Sequence, residues 1–148
     1  TLGVQVVFAS GGGIYTSAAE AAAKVGGKLI GVDVDQSANI NTYGEGMCVT
    51  SAMKGLAETV KHMLGEVVAG NFAEYGGKID TLGLVNGDDP TANYVQIPME
   101  TTQWSDSFTQ DDYKALVKAM FDGEVTVSND TSAMPETSIT VNFAGNIK

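Results

Sequence analysis

The chain has 148 residues, which suits one domain with a real core, and its 43% hydrophobic content excludes a disordered protein. Acidic residues outnumber basic ones by 18 to 8, and the net charge of -10 disfavours nucleic acid and anionic lipid as partners. The single cysteine, Cys48, excludes an internal disulfide and a cysteine-based zinc site, and we expect it to be buried as a small hydrophobic residue.

The first part of the chain predicts a strand, a glycine turn, a helix and a second strand. Residues 4–9 are rich in β-branched side chains, and residues 11–13 are three successive glycines. Residues 14–25 have helical spacing and stop at two glycines. The face expected to be buried is Ile14, Ala18, Ala21, Ala22 and Val25. This order predicts a right-handed βαβ unit and therefore an α/β fold with a parallel sheet.

The second strand, residues 28–36, begins as an apolar run and ends in Asp33, Asp35 and Gln36. In open α/β sheets ligands bind at the carboxyl ends of strands, so these carboxylates are candidate binding residues. Because side chains alternate between the two faces of a strand, Asp33 and Asp35 would point to the same face if the strand persists to Asp35. The alternative is that they begin a turn or cap a helix. The glycine turn is likewise either an anion or hydroxyl receptor or a tight structural turn.

The middle of the chain predicts a polar surface loop at 37–46, a short strand at 47–50 and a helix at 52–69 with Ser51 as its N-cap. The helical stripe expected to face the core is Met53, Leu56, Ala57, Val60, Leu64, Val67 and Val68. Lys54 would lie in the first helical turn, where the macrodipole disfavours a cation, at the level of Asp33. It then either binds a ligand beside a carboxylate or pairs with Glu58.

The last part predicts strands at 79–85 and 94–99, a helix at 109–122, and short strands at 125–128 and 139–143. Thr109 and Asp112 resemble a capping box at the start of that helix. Asp88 and Asp89 lack the spacing of a calcium loop and are expected in a solvated turn. His62, the only histidine, is expected on a wet helix face without a catalytic role. No apolar run approaches the ~18 residues of a membrane span.

Three segments together resemble the basic membrane protein family of ABC-transporter substrate-binding lipoproteins, which includes bacterial purine nucleoside receptors. They are FASGGG at 8–13, IGVDVDQ at 30–36 and VTSAMK at 49–54, in the family's order. The resemblance implies a three-layer Rossmann-like lobe of a type I periplasmic binding protein, with a mostly parallel sheet and helices on both faces. It also implies that residues 1–148 are a single, incomplete carboxyl-terminal lobe of a two-lobed protein.

By this resemblance the function is that of the solute-binding component of an ABC importer. A nucleoside or related sugar-containing ligand would bind between two lobes for delivery to a permease, without catalysis, cofactor or metal. The intact protein would be extracytoplasmic, at the cell surface or in the periplasm, held to the membrane by a lipid anchor outside this chain. An isolated lobe, with half of the contacts, is expected to bind nucleosides weakly or not at all.

The resemblance also implies the site residues. Backbone amides of Gly12 or Gly13, the Asp33 carboxylate and the Lys54 ammonium would contact the ribose hydroxyls. Asp35 is a further ligand-binding candidate, although its expected role, like that of Gln36, is to order the loop. The family's glycine loop is longer and more spaced than the contiguous glycines here, which leaves open which glycine makes the contact.

Two other function classes remain open. A nicotinamide-dependent enzyme is one, because Gly11, Gly13 and Asp33 imitate the dinucleotide-binding fingerprint, although Thr16 stands at the place of its third glycine. The other is the effector-binding lobe of a transcriptional regulator, which shares the fold.

Overall fold

A computed structural model describes residues 3–143 and 145, and its framework is a four-stranded sheet with the order β1-β2-β3-β4. The strands are β1 (Val6–Phe8), β2 (Lys28–Asp33), β3 (Cys48–Lys54) and β4 (Val95–Gln96). The helices are α1 (Tyr15–Ala23), α2 (Ser37–Ile40), α3 (Leu56–Val68), α4 (Phe72–Tyr75) and α5 (Gln110–Phe121), and 3-10 turns cover Gly12–Ile14 and Pro90–Ala92. The first three strands are parallel and β4 is antiparallel to β3, which confirms the predicted α/β class.

The core lies between α1, α2 and one face of the sheet. Its buried residues are Ala19, Ala22, Leu29, Ile40, Met47 and Cys48. The small alanine side chains let α1 lie close to β2, and Cys48, 2% exposed, is buried as predicted. The predicted helical face is only partly right, because Ile14 and Val25 are 61% and 70% exposed. A 3-10 turn takes up Gly12–Ile14, so α1 begins one residue later than predicted and presents Ala19 and Ala22 to the sheet.

The segment predicted as a polar surface loop contains one helical turn, α2, which contributes to this core. Ile40 is fully buried, and the amide of Ser37 at the start of α2 donates to Asp35 Oδ1 at 2.9 Å. Asn41 Oδ1 then accepts from the amide of Cys48 at 2.9 Å, which ties the end of the turn to the start of β3. Ile40 is the one large aliphatic residue in this polar stretch and gives no periodic signal, so the sequence prediction missed the turn.

The boundary between β3 and α3 differs from the prediction. The strand continues to Lys54, because its far end pairs with β4, and α3 begins only at Leu56. The N-cap is Gly55, whose amide donates to the carbonyl of Tyr94 at 2.7 Å. Ser51 is therefore not an N-cap but a fully buried strand residue. Lys54 is not in a helical turn either, so the helix dipole plays no part in its placement.

The apolar stripe of α3 was predicted to face the core, but it does not. None of the described residues of α3 is buried, and Leu56, Val60 and Leu64 are 50%, 58% and 59% exposed. The helix lies beside α4, where the His62 ring meets Tyr75 edge-on with centroids 5.7 Å apart. Periodicity predicts an amphipathic helix correctly but does not say which surface it covers.

The helix α5 lies over the opposite face of the sheet. Its capping box is confirmed, since Thr109 Oγ1 accepts from the amide of Asp112 and Asp112 Oδ2 accepts from the amide of Thr109. Val117 is 3% exposed, and a groove of about 400 Å³ remains between α5 and Val32 of β2. Of the described helices, none is long and apolar enough to cross a bilayer.

Several short strands predicted near the end of the chain are not formed. Residues 79–85, 125–128 and 139–143 have no strand structure, and the strand predicted at 94–99 is reduced to the two residues of β4. Residues 79–85 are joined to the rest of the fold by isolated hydrogen bonds, such as the one that the amide of Tyr94 donates to the carbonyl of Gly83 at 3.1 Å. Residues 124–143 are exposed throughout and pair with no strand of the sheet.

Candidate functional site

The carboxyl ends of the three parallel strands meet at one edge of the sheet and bring the predicted site residues together. The glycine turn follows β1, Asp33 is the last residue of β2, and Lys54 is the last residue of β3. Asp33 pairs with Met53 in the β2–β3 register, so Lys54 lies one residue beyond it. The Lys54 ammonium is 2.5 Å from Asp33 Oδ1, whereas Glu58, the alternative partner, pairs with Lys61 at 3.4 Å.

Asp33 has an unusual backbone conformation. Its φ is +71°, and within the described part of the chain it is the one residue other than glycine with a positive φ. Aspartate tolerates this left-handed region better than most residues, but a side chain there still costs conformational energy. Residues held in such conformations cluster at functional sites, where the surrounding structure fixes them. This turn of the backbone ends β2 and directs the chain away from the sheet before Asp35.

The Asp33 carboxylate is only partly satisfied by the chain. Oδ1 is buried against the Lys54 ammonium, 2.5 Å away, and this ion pair is its close partner among the described residues. No described residue donates a hydrogen bond to Oδ2, the other oxygen, which lies toward Gly12. The side chains are unequal in exposure, 32% for Asp33 and 62% for Lys54. Oδ2 is therefore the oxygen of Asp33 that can accept hydrogen bonds from the hydroxyls of a ligand.

The glycine turn forms the other side of the carboxylate. A Cβ on Gly12 would lie 3.9 Å from Asp33 Oδ2, which places the carboxylate directly beside the turn. Gly12 and Gly13 are exposed, and no acceptor for their amides occurs among the described residues. Amides at the start of a helix lack helical partners, so they are free to donate to a ligand.

Asp35, the other predicted carboxylate, is placed apart from Asp33. Its Oδ1 accepts from the amide of Ser37, and its Oδ2 accepts from Thr101 Oγ1 at 2.8 Å. Burial raises the pKa of the Asp35 carboxyl, but the hydrogen bonds from Ser37 and Thr101 outweigh this effect and hold the pKa below its usual value. Both oxygens thus have donors within the chain, which is the arrangement of a residue that orders a loop.

Gln36 and Ser51 are the residues near the site whose contacts were not predicted. Gln36, 6% exposed, hydrogen-bonds β2, β3 and the glycine turn at once, and Ser51 supplies the β3 contact. The position of Gln36 three residues after Asp33 was visible in the sequence. Ser51, in contrast, resembled a helix cap, and its pairing with Gly31 of β2 shows that it is a strand residue.

Other chemistries find less support in the described residues. Within residues 3–143, no group of three or more His, Cys, Asp or Glu side chains is close enough to hold a metal ion. At the third glycine position of a dinucleotide fingerprint, Thr16 instead donates from its hydroxyl to the carbonyl of Gly13 at 3.1 Å.

Comparison with known protein families, with curated proteins and with solved structures finds no match for this chain. We therefore base the functional assignment on the chemistry of the residues at the strand ends.

Proposed function

We propose that the chain is a solute-binding lobe and that its ligand is a purine nucleoside or a related molecule that carries a sugar. The observation that carries the proposal is the Asp33 carboxylate, held in a left-handed backbone conformation with Oδ1 paired to Lys54 and Oδ2 without a donor among the described residues. The Lys54 ammonium and the glycine turn lie on either side of it. The three motif segments that resemble the nucleoside receptors contain these same residues.

The chemistry of the site suits a vicinal diol. Each hydroxyl of a ribose donates one hydrogen bond, and Oδ2 of Asp33, which has two lone pairs, can accept both. Each hydroxyl oxygen also accepts, and the Lys54 ammonium and the amides of Gly12 or Gly13 are the donors beside it. Charged partners make these bonds stronger than neutral ones, and two adjacent hydroxyls satisfy the site better than one.

The proposed role of the chain in a larger transport protein follows from the same resemblance. The chain would be the carboxyl-terminal lobe of a type I periplasmic binding protein, and a second lobe would contact the base when the two lobes close. Binding would be non-covalent, and the closed protein would present its ligand to an ABC permease. The intact protein would work outside the cytoplasm, held by a lipid anchor that is not in this chain.

The proposal is tested by titrating the isotope-labelled 148-residue chain with inosine and with ribose while its amide resonances are recorded by NMR. NMR is suited to a weak site, and we expect a dissociation constant on the order of 1 mM, since one lobe provides only part of the contacts. The shifts should be confined to Gly12, Gly13, Asp33, Lys54 and their neighbours. No shift at about ten times that concentration, or shifts scattered over the surface, would contradict the proposal.

A matched pair of variants separates a specific loss from a general charge effect. Asp33→Asn keeps a side chain that tolerates positive φ and removes the charge. The control is Asp122→Asn, because Asp122 also pairs with a lysine, Lys118, at 2.9 Å, and its side chain is similarly exposed at 40%. Only Asp33→Asn should abolish the shifts. A response to NAD that exceeds the response to inosine would instead support the dinucleotide-binding enzyme.

A further inference from the structure

The side chain of Gln36 joins the three chain segments that surround the Asp33 carboxylate. Its Oε1 accepts from the amide of Val32 at 3.1 Å, and its Nε2 donates to the carbonyl of Gly12 at 3.1 Å. Its own backbone amide donates to Ser51 Oγ at 3.1 Å. One residue therefore connects β2, β3 and the glycine turn, and its three partners are each a predicted ligand contact or lie within three residues of one.

The two ends of the Gln36 amide act on the two sides of the site. The Oε1 bond holds the amide of Val32, the residue directly before Asp33, at the point where the backbone enters its left-handed conformation. The Nε2 bond holds the carbonyl of Gly12, so the peptide between Gly12 and Gly13 is oriented by the same side chain. Fixing that carbonyl also fixes the direction of the Gly13 amide, because a peptide unit is planar.

The space for this side chain is built into β2. A Cβ on Gly31 would lie 2.9 Å from Gln36 Cβ, 3.0 Å from Gln36 Oε1 and 2.6 Å from Ser51 Oγ. Glycine is thus required at position 31 for Gln36 and Ser51 to approach the strand. Gln36 is 6% exposed and Ser51 is fully buried, so water does not compete for their bonds.

We propose that Gln36 is a positioning residue for ligand binding, which sets the distance between the glycine turn and the Asp33 carboxylate without touching the ligand. This inference rests on the proposed function of the site. It requires both properties of an amide: the acceptor for Val32 and the donor for Gly12. A carboxylate of the same shape keeps the first and lacks the second.

The test compares Gln36→Glu with Gln103→Glu. Gln103 is a matched control because its amide also joins segments, donating to the carbonyls of Gly46 and Cys48 at 2.7 and 2.9 Å and accepting from Lys28 Nζ at 2.6 Å. These contacts lie at the opposite end of β2 and β3. Both variants lose a donor to backbone carbonyls, but only the first loses it at the Asp33 site.

Inosine affinity is measured by NMR at a temperature where circular dichroism shows every variant to be fully folded. We expect Gln36→Glu to weaken inosine binding about tenfold, as the loss of one hydrogen bond that orients the site would do. Gln103→Glu should change thermal stability without changing affinity. Equal affinity of Gln36→Glu and the unaltered chain, or an equal loss in both variants, would overturn the positioning role.

The ligand-free spectra keep this outcome separate from that of the proposed function. In Gln36→Glu the resonances of Gly12 and Gly13 should shift and broaden, while the Val32 amide stays protected from hydrogen exchange. If the unaltered chain binds no inosine, the proposed function fails by that result alone. An undisturbed glycine turn in ligand-free Gln36→Glu would overturn the inference about Gln36 even if inosine binds the unaltered chain.

Discussion

Replacing Asp33 by glycine should remove ligand binding and yet give a more stable protein than replacing it by alanine. Both substitutions delete the carboxylate and its contact with Lys54, so that loss is common to both. It is also small, because the two side chains are 32% and 62% exposed and such ion pairs are worth below about 1 kcal/mol. What differs is the backbone, since φ at position 33 is +71°.

The expected difference follows from the cost of placing a Cβ in the left-handed region. That cost is about 1–2 kcal/mol for alanine and absent for glycine. Glycine also makes the unfolded chain more flexible, which offsets roughly 0.5–1 kcal/mol of this advantage. The Asp33→Gly variant should therefore be more stable than Asp33→Ala by up to about 1.5 kcal/mol, or up to about 5 °C in melting temperature for a chain of this size.

Urea and thermal unfolding of the two variants, followed by circular dichroism, measure this difference directly. The Asp33→Asn variant serves as the control, because asparagine tolerates positive φ and should melt close to the unaltered chain. If Asp33→Ala is more stable than Asp33→Gly by about 0.5–1 kcal/mol, as expected where φ is negative, then Asp33 does not adopt the left-handed conformation in solution. The account of a carboxylate held by a strained turn would then be wrong.

Three further predictions concern the fold around the site. Gly31→Ala should destabilise the protein by about 1–3 kcal/mol, because the added Cβ would meet Ser51 Oγ at 2.6 Å. Gly65→Ala, in the open part of α3, should instead stabilise it by up to about 1 kcal/mol. The midpoints of urea unfolding measure both effects. Thr109→Ala should lower the free energy of unfolding by about 1 kcal/mol through loss of the capping box, and unchanged unfolding would contradict that role. The pKa of Asp35 is lower in the folded chain than in the unfolded chain, so the ionised carboxylate stabilises the fold fully above about pH 4. This stabilisation is lost as the pH falls through the folded pKa, so the free energy of unfolding of Asp35→Asn should depend less on pH in that range.

The placement of the predicted site residues depended on local patterns that the sequence contains. A buried apolar run that ends in Asp33, and a strand followed by three glycines, both indicate strand ends, and parallel strands bring their ends to one edge. Lys54 was expected at the level of Asp33, but its ion pair with Asp33 was not predicted, and its element was assigned wrongly. Lys54 belongs to β3 and not to the first turn of α3.

The misplaced features depend on contacts between distant parts of the chain. Ser51 precedes an apolar periodic segment and so resembles a cap, but β4, more than 40 residues later in the sequence, pairs with β3 and extends it. The hydroxyl of Thr101 reaches Asp35 from 66 residues further along the chain. No local propensity encodes either contact, since each depends on the path of the chain between the two partners.

The role of Asp33 as an acceptor for two neighbouring hydroxyls is tested most directly by comparing inosine with 2′,3′-dideoxyinosine. The two ligands share the base and differ only in the hydroxyls that the carboxylate and Lys54 would bind. The account predicts that the dideoxy compound binds at least about tenfold more weakly to the unaltered chain, and that both bind equally poorly to Asp33→Asn. Equal affinity of the unaltered chain for the two nucleosides would contradict it.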